Sequence, residues 1–556
     1  MQKLFITTLI LVGYAFAFRL PSLLYDNNLS SSTECSLCKY FVAKLDGYAK
    51  ENKTISELEN LAAELCIDLD LELKRVCDGI VKVYGPDVAC LYQHSYLSED
   101  TICNILVGDS CTKASTPYNW TVKLPNDNPP PKYIPLSNPP SNKPTVKVLH
   151  IADLHLDPTY LVGSQANCKA PQCCDWLSSA ADQIKAKEFG TQSNCDIPES
   201  SLATMLEEIS TYDFDWVYWT GDITPHNVWN QTQEMHVELT NKVNALIKEK
   251  LPGKKVYPAI GNHETYPVSQ LPIPSVNPKN SPTPAKWIFD TLESNWNSWL
   301  NDSSTTATIV KGGYYTTKIA PNLRLISYNG IIGDNENFYA YTNISDPYGM
   351  LEWLAEELQK AENAGDYVHI IGHEPPYASQ TSVYKENYYR IIRKYANTVR
   401  GQFAAHTHKD EFRVFYEDSV DDVCGTPYGV MYVAPSITTY SDHNPGFKIY
   451  TIDGDWENST WSVLDFQTYV LNLTKVNNFH GEPKFTPLYS AKEAYSLNSL
   501  FPQDWSDLIA RFSLDKDLFT KFYHYFMRRN SINPTDLEGI ECLNWLSSGV
   551  FGTCLP

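Results

Sequence analysis

Five short blocks of polar side chains follow five apolar, strand-type runs, and this arrangement constrains the fold more than any other feature of the sequence. The runs are 146–151, 216–220, 256–260, 368–371 and 402–404. The blocks that follow them, in the same order, are Asp153-Leu154-His155, Gly221-Asp222, Gly261-Asn262-His263-Glu264, Gly372-His373 and Ala405-His406-Thr407-His408. Because ligand-binding side chains gather past the carboxyl ends of strands in open α/β sheets, all five blocks are expected to share one crevice.

The side chains in these blocks are suited to divalent cations. Asp, His and Asn bind Zn²⁺ or Mn²⁺, and two such ions about 3.5 to 4 Å apart clamp the attacking and leaving oxygens of a displacement at phosphorus. A single Asp-x-His or His-x-His is weak evidence, since most histidines are surface or core residues. The common position after strands favours one dimetal site, so the sequence predicts a phosphoester hydrolase.

The order D-x-H, G-D, G-N-H-[DE], G-H, G-H-x-H resembles the calcineurin-like metallophosphoesterases, with Ala405 in place of the last glycine. Longer stretches resemble the acid sphingomyelinase family, namely 152–155, 221–229, 369–373, 387–391 and 434–440. The resemblance extends from about Cys35 to the C-terminus. It implies a two-sheet α/β/β/α sandwich, preceded by an all-α saposin-like domain and followed by a helical region.

The resemblance also implies a ligand set for two zinc ions. One ion would take Asp153, His155, Asp222 and His408, and the other would take Asp222, Asn262, His373 and His406. A carboxylate such as Asp222 can bridge two cations, while neutral Asn and His avoid an excess of negative charge. A water held between the ions would be acidified and attack phosphorus. Pro225 stands where purple acid phosphatases have an iron-binding Tyr, so zinc is favoured over iron.

Two further histidines, His263 and His226, lie beside the phosphorus if the resemblance holds. An imidazolium there can stabilise negative charge and protonate the departing alkoxide. We expect His263 to be the general acid, since an unperturbed imidazole with a pKa near 6.5 is mostly protonated at about pH 5. For His226, orienting a ligand is an equal alternative. Glu336 and Tyr440 match positions at the substrate mouth, either to receive a choline ammonium or as ordinary loop residues.

The N-terminus predicts export. Residues 1–17 have the pattern of a signal peptide, with Lys3, an apolar run from Leu4 to Phe18 that is too short to span a membrane, and Ala15-Phe16-Ala17 as cleavage signal. No other stretch approaches membrane-spanning length. Asn-x-Ser/Thr acceptors are typical of a glycosylated secreted or lysosomal protein, and they begin at Asn28, Asn52, Asn119, Asn230, Asn301, Asn343, Asn458 and Asn472.

Fourteen cysteines in an exported chain predict disulfides rather than a metal cluster. The resemblance implies three saposin-type pairs and two staples after the first metal block, namely Cys35–Cys111, Cys38–Cys103, Cys66–Cys77, Cys168–Cys173 and Cys174–Cys195. Cys542 and Cys554 are expected to pair in the C-terminal tail. For Cys90 and Cys424, a bond between them and two free thiols are both open.

Composition and resemblance divide the chain into a signal peptide (1–17), a saposin B-type domain (31–115), a Pro-rich linker (116–144), a catalytic domain (145–465) and a helical region (466–556). In the saposin-type segment, Leu58, Leu61, Leu65 and Leu69 recur at helical spacing. Such a stripe most often forms a core, but the resemblance implies that it opens toward lipid. In the last segment, packing residues are expected at Leu508, Phe512, Leu518, Phe522 and Phe526.

The net charge of −21 and the absence of a basic stripe disfavour nucleic-acid binding. A saposin-type domain joined to a phosphodiesterase favours hydrolysis of bilayer sphingomyelin to ceramide and phosphocholine at acidic pH. A soluble nucleotide or phosphocholine-ester phosphodiesterase is the alternative. A non-catalytic lipid-binding protein is a third possibility, which the intact ligand set disfavours. The sequence carries no signal of oligomeric state.

Overall fold

The computed structural model describes residues 35–36, 39–40, 55–68, 70–91, 100, 103, 111, 119–126, 128–177, 184–276, 285–342, 344–417, 425–479, 482–528, 548–549 and 552–553. Several sequence predictions lie outside these residues, namely the signal peptide, Leu69, the acceptors Asn28, Asn52 and Asn343, and Cys38, Cys424, Cys542 and Cys554.

Two six-stranded mixed sheets form the centre of the molecule. The first sheet has the strand order β12-β11-β10-β1-β2-β3. Its strands β1, β2 and β3 are parallel, and β10, β11 and β12 are added antiparallel. The strands are β1 Thr145–Ile151, β2 Trp216–Trp219, β3 Lys255–Pro258, β10 Gly446–Asp453, β11 Val463–Val470 and β12 Thr486–Ser490.

The second sheet has the order β4-β5-β6-β7-β9-β8, with antiparallel strands at both edges. Its inner strands β5, β6, β7 and β9 are parallel, so their carboxyl ends point the same way. The strands are β4 Tyr315–Ala320, β5 Leu323–Ser327, β6 Tyr367–Ile371, β7 Val399–Ala404, β8 Glu411–Tyr416 and β9 Pro427–Val433. A short hairpin, β13 Ser548–Gly549 and β14 Gly552–Thr553, forms a separate two-stranded sheet and contacts β8.

Thirteen α-helices are described. Their apolar residues recur every three or four positions; one helix, for example, buries Met350, Leu351, Leu354 and Leu358. In chain order they are α1 Ile55–Asp68, α2 Lys74–Leu91, α3 Glu199–Ile209, α4 Gln233–Lys250, α5 Lys286–Leu300, α6 Ser303–Gly312, α7 Met350–Ala364, α8 Pro376–Ser379, α9 Ser382–Lys394, α10 Leu473–Phe479, α11 Ala491–Tyr495, α12 Pro502–Leu514 and α13 Lys516–Met527.

The two sheets pack face to face through aromatic and polar side chains. Tyr218 of β2 and His369 of β6 share a hydrogen bond of 2.7 Å, and the ring of Phe403 on β7 lies 5.0 Å from that of Tyr450 on β10. Three small residues, Ala152, Ala405 and Ala434, form a buried cluster. The alanine that replaces the family's glycine therefore occupies a close contact between strand ends. The predicted α/β sandwich is confirmed.

The predicted limit of the catalytic domain at residue 465 falls inside β11 and is corrected by the structure. Strand β12 also lies beyond that limit, and both strands belong to the first sheet. The helical part begins only after them. There, Leu508, Phe512, Phe522 and Phe526 are buried as expected, and Leu518 packs partly buried against the same core.

The saposin-type helices pack directly on the catalytic region. Helices α1 and α2 are joined by the disulfide Cys66–Cys77, and their core includes Leu65, with Leu61 partly buried against it. Helix α2 lies on the turn Val228–Asn230 so closely that a Cβ at Gly79 would overlap the backbone of Trp229. The described part of the leucine stripe thus forms a core that is continuous with apolar residues of the catalytic region, such as Val228 and Phe338.

Residues of the Pro-rich segment from 119 to 144 contain no helix or strand within their described part. They nevertheless contact the catalytic region at fixed points. The backbone N–H groups of Val122 and Ile134 donate to Asn387 and Asn397, both at 2.8 Å, and Val122 is buried. This segment is therefore hydrogen-bonded to the surface of the catalytic region.

Four predicted disulfides are present: Cys35–Cys111, Cys66–Cys77, Cys168–Cys173 and Cys174–Cys195. Cys90 lies in α2. The described glycosylation acceptors Asn119, Asn230, Asn301, Asn458 and Asn472 are all exposed. Among the described helices, none combines the length and apolar character needed to cross a bilayer.

Candidate metal centre and active site

All seven predicted metal ligands converge on one crevice between the two sheets. Each lies just past the end of a strand, where the chain turns away from its sheet. Six of them are at least nine-tenths buried, and His406 is partly exposed. They are Asp153 and His155 after β1, Asp222 after β2, Asn262 after β3, His373 after β6, and His406 and His408 after β7.

The first predicted group of ligands is compact. The Nε2 atoms of His155 and His408 are 3.2 Å apart, and His408 Nε2 is 3.6 Å from Asp153 Oδ1. Two imidazole nitrogens that face each other at this distance present two lone pairs to the same point when both rings are neutral. Such an arrangement fits a cation between them.

Asp222 connects this group to the second one. Its Oδ2 atom lies 3.4 Å from His155 Nε2 and 3.0 Å from His373 Nε2, so one carboxylate oxygen faces both groups. In the second group, His406 Nδ1 lies 3.1 Å from Asn262 Oδ1. The position of Asp222 between the groups is the one that a bridging ligand requires.

The backbone is unusual at these positions. Five of the ligands have left-handed backbone angles, with φ of 51° at Asp153, 38° at His155, 65° at Asp222, 74° at His406 and 60° at His408. Residues other than glycine rarely adopt these left-handed backbone angles, and those that do cluster at functional sites. A Cβ at Gly261 would overlap Asp222 Oδ1, which explains a glycine before Asn262. The backbone is therefore locally strained at these positions, and this conformation points the ligand side chains into the crevice.

Backbone carbonyls orient two of the ligand rings. Nδ1–H of His155 donates to the Thr224 carbonyl at 2.7 Å, and Nδ1–H of His373 donates to the Thr220 carbonyl at 2.5 Å. Since a carbonyl can only accept, Nδ1 carries the hydrogen and Nε2 faces the crevice. Each of these imidazoles thus points its Nε2 atom at the centre.

The electrostatics of the site fit cations. Burial and the neighbouring histidines His226 and His263 keep the pKa of His155 well below its usual value, so its ring is neutral, as metal binding requires. Burial alone would raise the pKa of Asp222 and lower that of His373. Because the two groups face each other, the pKa of Asp222 is instead held well below its usual value, and the pKa of His373 well above its usual value. Asp153 Oδ2 is buried without a hydrogen-bond partner. These donors fit a dimetal centre.

His226, one of the two predicted catalytic histidines, is held by a buried carboxylate. Both oxygens of Asp196 lie 3.0 Å from His226 Nδ1, and Asp196 Oδ2 also accepts the backbone N–H of His226 at 2.7 Å. Thr438 donates to the same carboxylate at 2.8 Å. The sequence does not reveal Asp196, because this residue follows no strand and belongs to none of the five blocks.

His263 differs from His226 in its surroundings. Its Nδ1–H donates to the Thr224 carbonyl at 3.0 Å, and its ring lies 4.8 Å from that of His226. Burial lowers the pKa of His263 to about 4. This direction opposes the expected protonation of His263 near pH 5, and its role as general acid stays a prediction.

Glu264 is a second residue whose role the sequence does not reveal. Its buried carboxylate accepts the backbone N–H groups of Gly261 and Asp222. It thereby ties the turn after β3 to the turn after β2. The only sequence signal is its place at the end of the Gly261-Asn262-His263-Glu264 block.

The two tentative substrate contacts lie on different sides of the site. The Tyr440 ring stacks on His226 at 3.7 Å, nearly parallel, and its hydroxyl donates to the Pro171 carbonyl at 2.9 Å. Glu336 is exposed and accepts from Ser269, which in turn accepts from the Asn262 amide. Tyr440 therefore has a packing role whatever it contacts in the substrate.

This fold and site define a calcineurin-like phosphoesterase, and the profile of that family matches residues 146–410. Profiles for the acid sphingomyelin phosphodiesterase C-terminal region and for saposin-like type B, region 1, match residues 427–535 and 33–69. A sphingomyelin phosphodiesterase from Bos taurus is 37% identical over 511 residues, covering 91% of this chain and 80% of the bovine protein. The chain belongs to the sphingomyelin phosphodiesterase family.

Two further proteins are similar to this chain at lower identity or coverage. A cyclic GMP-AMP phosphodiesterase from Rattus norvegicus is 30% identical over 397 residues, covering 68% of this chain and 83% of the rat protein. A dimetal phosphatase from Danio rerio has a TM-score of 0.35 and 14% identity, covering 62% of this chain and 99% of that chain.

Proposed function

We propose that this protein hydrolyses sphingomyelin to ceramide and phosphocholine at acidic pH, with two zinc ions. The observation that carries the proposal is the convergence of Asp153, His155, Asp222, Asn262, His373, His406 and His408 beside docked saposin-type helices. Membership in the sphingomyelin phosphodiesterase family supports the substrate, which is named for the bovine and human relatives. Exposed glycosylation acceptors and the predicted signal peptide support a secreted or lysosomal location.

We assign Asp153, His155, Asp222 and His408 to one zinc and Asp222, Asn262, His373 and His406 to the other. Bound zinc would polarise the phosphoryl oxygens and lower the pKa of a water that attacks phosphorus. The residues themselves fix the geometry, because Thr224 and Thr220 hold two imidazoles in the tautomer that points Nε2 inward. The mixed Asp, Asn and His set is more typical of zinc than of magnesium, which prefers oxygen ligands alone.

The leaving ceramide alkoxide needs a proton, and two imidazoles are placed to give it. His263 is the predicted donor. His226 is a second candidate, because Asp196 accepts its Nδ1–H and leaves Nε2 to face the crevice. In either case the other ring stabilises charge on the phosphoryl group.

A series of substrates separates these roles. His226→Ala and His263→Ala are compared on diesters with poor and good leaving groups, with His524→Ala on the surface helix α13 as control. Loss of the general acid should hurt the alkoxide leaving group far more than nitrophenolate. A variant whose losses are equal for both substrates has lost charge stabilisation rather than proton donation.

The saposin-type helices are proposed to bring bilayer lipid to the crevice. Their helix α2 packs on the turn Val228–Asn230, which begins two residues after His226, and against Phe338 and Tyr339, which follow Glu336. A lipid held by these helices is therefore delivered next to the proposed catalytic residue His226 and the proposed headgroup-binding residue Glu336. The domain limits 31–115 and 116–144 remain part of this proposal.

The decisive experiment measures hydrolysis of sphingomyelin in anionic liposomes at pH 5, beside a dinucleotide and a soluble nitrophenyl phosphodiester. Chelator-sensitive release of ceramide well above the dinucleotide rate is expected. Turnover of the dinucleotide alone would instead favour a nucleotide phosphodiesterase, the activity named for the rat relative. Asp222→Ala should abolish turnover and release metal measured by elemental analysis. Normal zinc content with a normal rate would refute the bridging role.

A further inference from the structure

A group of large apolar side chains is exposed on the loop between β1 and α3. Five of the nine exposed large apolar residues in the described part of the chain lie there. They are Leu161 (50% exposed), Val162 (57%), Trp176 (67%), Leu177 (40%) and Ile184 (59%). Contiguous exposed apolar side chains of this size mark an interaction site in a stable protein.

Backbone pairing links the segments that carry these five residues. An antiparallel bridge between Tyr160 and Asp175 joins the segment of Leu161 and Val162 to that of Trp176 and Leu177, and the backbone N–H of Leu161 donates to the Cys174 carbonyl at 2.7 Å. A second bridge, between Gln165 and Lys185, brings Ile184 to the same region, and the backbone N–H of Ala166 donates to the Ile184 carbonyl at 2.8 Å. We call the five side chains the apolar rim.

The loop buries its small residues and leaves its large ones outside. Its own core consists of Ala166, Cys173, Cys174, Ala186 and Cys195, all nearly inaccessible. Burying a Trp or Leu side chain instead would stabilise the fold, because apolar surface would leave water. The loop forgoes that contribution, which indicates that the rim contacts something other than this chain.

Two disulfides, Cys168–Cys173 and Cys174–Cys195, restrain the loop that carries the rim. In the second disulfide, Cys174 lies two positions before Trp176, and Cys195 directly precedes Asp196. A restrained apolar surface loses little conformational entropy when it binds, so it is organised in advance for a partner.

The charges around the rim favour an anionic partner. Among the described residues from 158 to 195, the exposed charged side chains are Lys169, Lys185, Lys187 and Glu188. Three positive charges against one negative charge contrast with the whole chain, whose net charge is −21. A Trp with neighbouring aliphatic and Lys side chains is the composition of segments that lie in the interface of an anionic bilayer.

The loop that carries the rim also contacts residues next to the active site. Tyr440, which stacks on His226, donates its hydroxyl to the carbonyl of Pro171 in the same loop. Thr439 donates to the Cys195 carbonyl at 2.7 Å. Any surface that the rim enters is therefore held near the crevice.

We propose that Leu161, Val162, Trp176, Leu177 and Ile184 form a second membrane contact, on the catalytic region itself and separate from the saposin-type helices. The rim inserts into the interface of an anionic bilayer, with Lys185 and Lys187 near the headgroups. This contact adds to the proposed function, but it does not depend on which lipid is cleaved, because binding is measured without turnover.

The test is flotation of the full-length protein with phosphatidylcholine vesicles, with and without phosphatidylserine. The double substitution Trp176→Ser/Leu177→Ser should reduce affinity for vesicles by on the order of tenfold or more. The matched control Leu514→Ser changes another apolar residue, 86% exposed at the end of α12, and should bind as the parent does. Hydrolysis of a soluble nitrophenyl diester should be unchanged in both variants, which shows that the site is intact.

Three outcomes would overturn the proposal. One is equal vesicle binding by the rim variant and the parent. Another is an equal loss in the Leu514→Ser control, which would indicate nonspecific adhesion. A third is a change in oligomeric state, measured by sedimentation velocity, without a change in vesicle binding, since the rim would then contact a second copy of this chain. Lys185→Glu/Lys187→Glu should weaken binding only to the anionic vesicles; equal weakening on both would refute the charge contribution.

Discussion

Asp87 makes the contact between α2 and the catalytic region sensitive to pH. Its side chain is buried, with 3% of the residue exposed, and accepts the Tyr339 hydroxyl at 2.6 Å. Burial raises the pKa of Asp87 from 3.8 to about 6, although the Tyr339 hydrogen bond opposes this. The neighbouring Tyr266 phenol adds no positive charge, and its own pKa is raised by burial and by Asp87. The buried carboxylate is therefore held mainly by one neutral donor.

The sign and size of the effect follow from this difference in pKa. A folded-state pKa above the unfolded-state value means that the folded protein binds the proton more tightly. The stability from Asp87 is fully present below pH 3.8 and is lost as the pH rises through about 6. At 1.36 kcal/mol per pKa unit, the loss is about 3 kcal/mol. This is an upper value, since water entering the contact would reduce it.

Asp87→Asn removes the titration but keeps an oxygen that can accept from Tyr339. Urea unfolding followed by tryptophan fluorescence at pH 4 and pH 7 should show the variant gaining up to about 3 kcal/mol relative to the parent between the two pH values. The control Asp78→Asn lies in the same helix, where Asp78 forms an exposed ion pair with Lys74, and should change little. The reasoning is refuted if parent and Asp87→Asn lose stability equally with rising pH.

Three other predictions concern single contacts. Gly79→Ala should separate α2 from Trp229, lower the free energy of unfolding by about 1 to 3 kcal/mol and slow hydrolysis of a soluble diester. The control Gly85→Ala meets only the flexible Glu59 side chain and should change neither quantity. Gly261→Ala should lower the zinc content measured by elemental analysis, because its Cβ overlaps Asp222; full occupancy would contradict this. Asp196→Asn should reduce kcat by about tenfold to a hundredfold with metals retained, and an unchanged kcat would exclude it as the partner of His226.

The sequence is informative where function and secondary structure coincide. All five predicted runs are strands of the two sheets; four agree within one or two residues at their ends, and the run 402–404 begins three residues after β7 does. The residue pattern places the three blocks after β1, β2 and β3 together, and the two blocks after β6 and β7 together, because parallel strands end at one edge of a sheet. The packing of the two sheets against each other then joins the two sets. Asp222 lies at the predicted bridging position for the same reason, next to the end of β2 in the middle of the crevice.

Features that depend on distant segments cannot be predicted in this way. Asp196 reaches His226 from a loop with no periodic pattern, so only the tertiary fold reveals the contact. Strand β12 is five residues long and pairs at an edge of the sheet, which left the limit at residue 465 too early. The burial that lowers the pKa of His263 and the exposure of Trp176 are likewise properties of the packed molecule. Neither can be predicted from composition.

The bond between Cys174 and Cys195 connects two parts of the protein that would otherwise be judged separately. One of its ends is close to the exposed Trp176, and the other directly precedes Asp196, the residue that holds the His226 ring. A thiol reductant should therefore act on the chemistry of the crevice as well as on the surface loop. In an oxidising compartment, this covalent link joins the segment of the exposed indole to the residue that precedes Asp196. In the proposed membrane contact, the depth to which Trp176 inserts therefore also sets the height of the His226 ring above the bilayer.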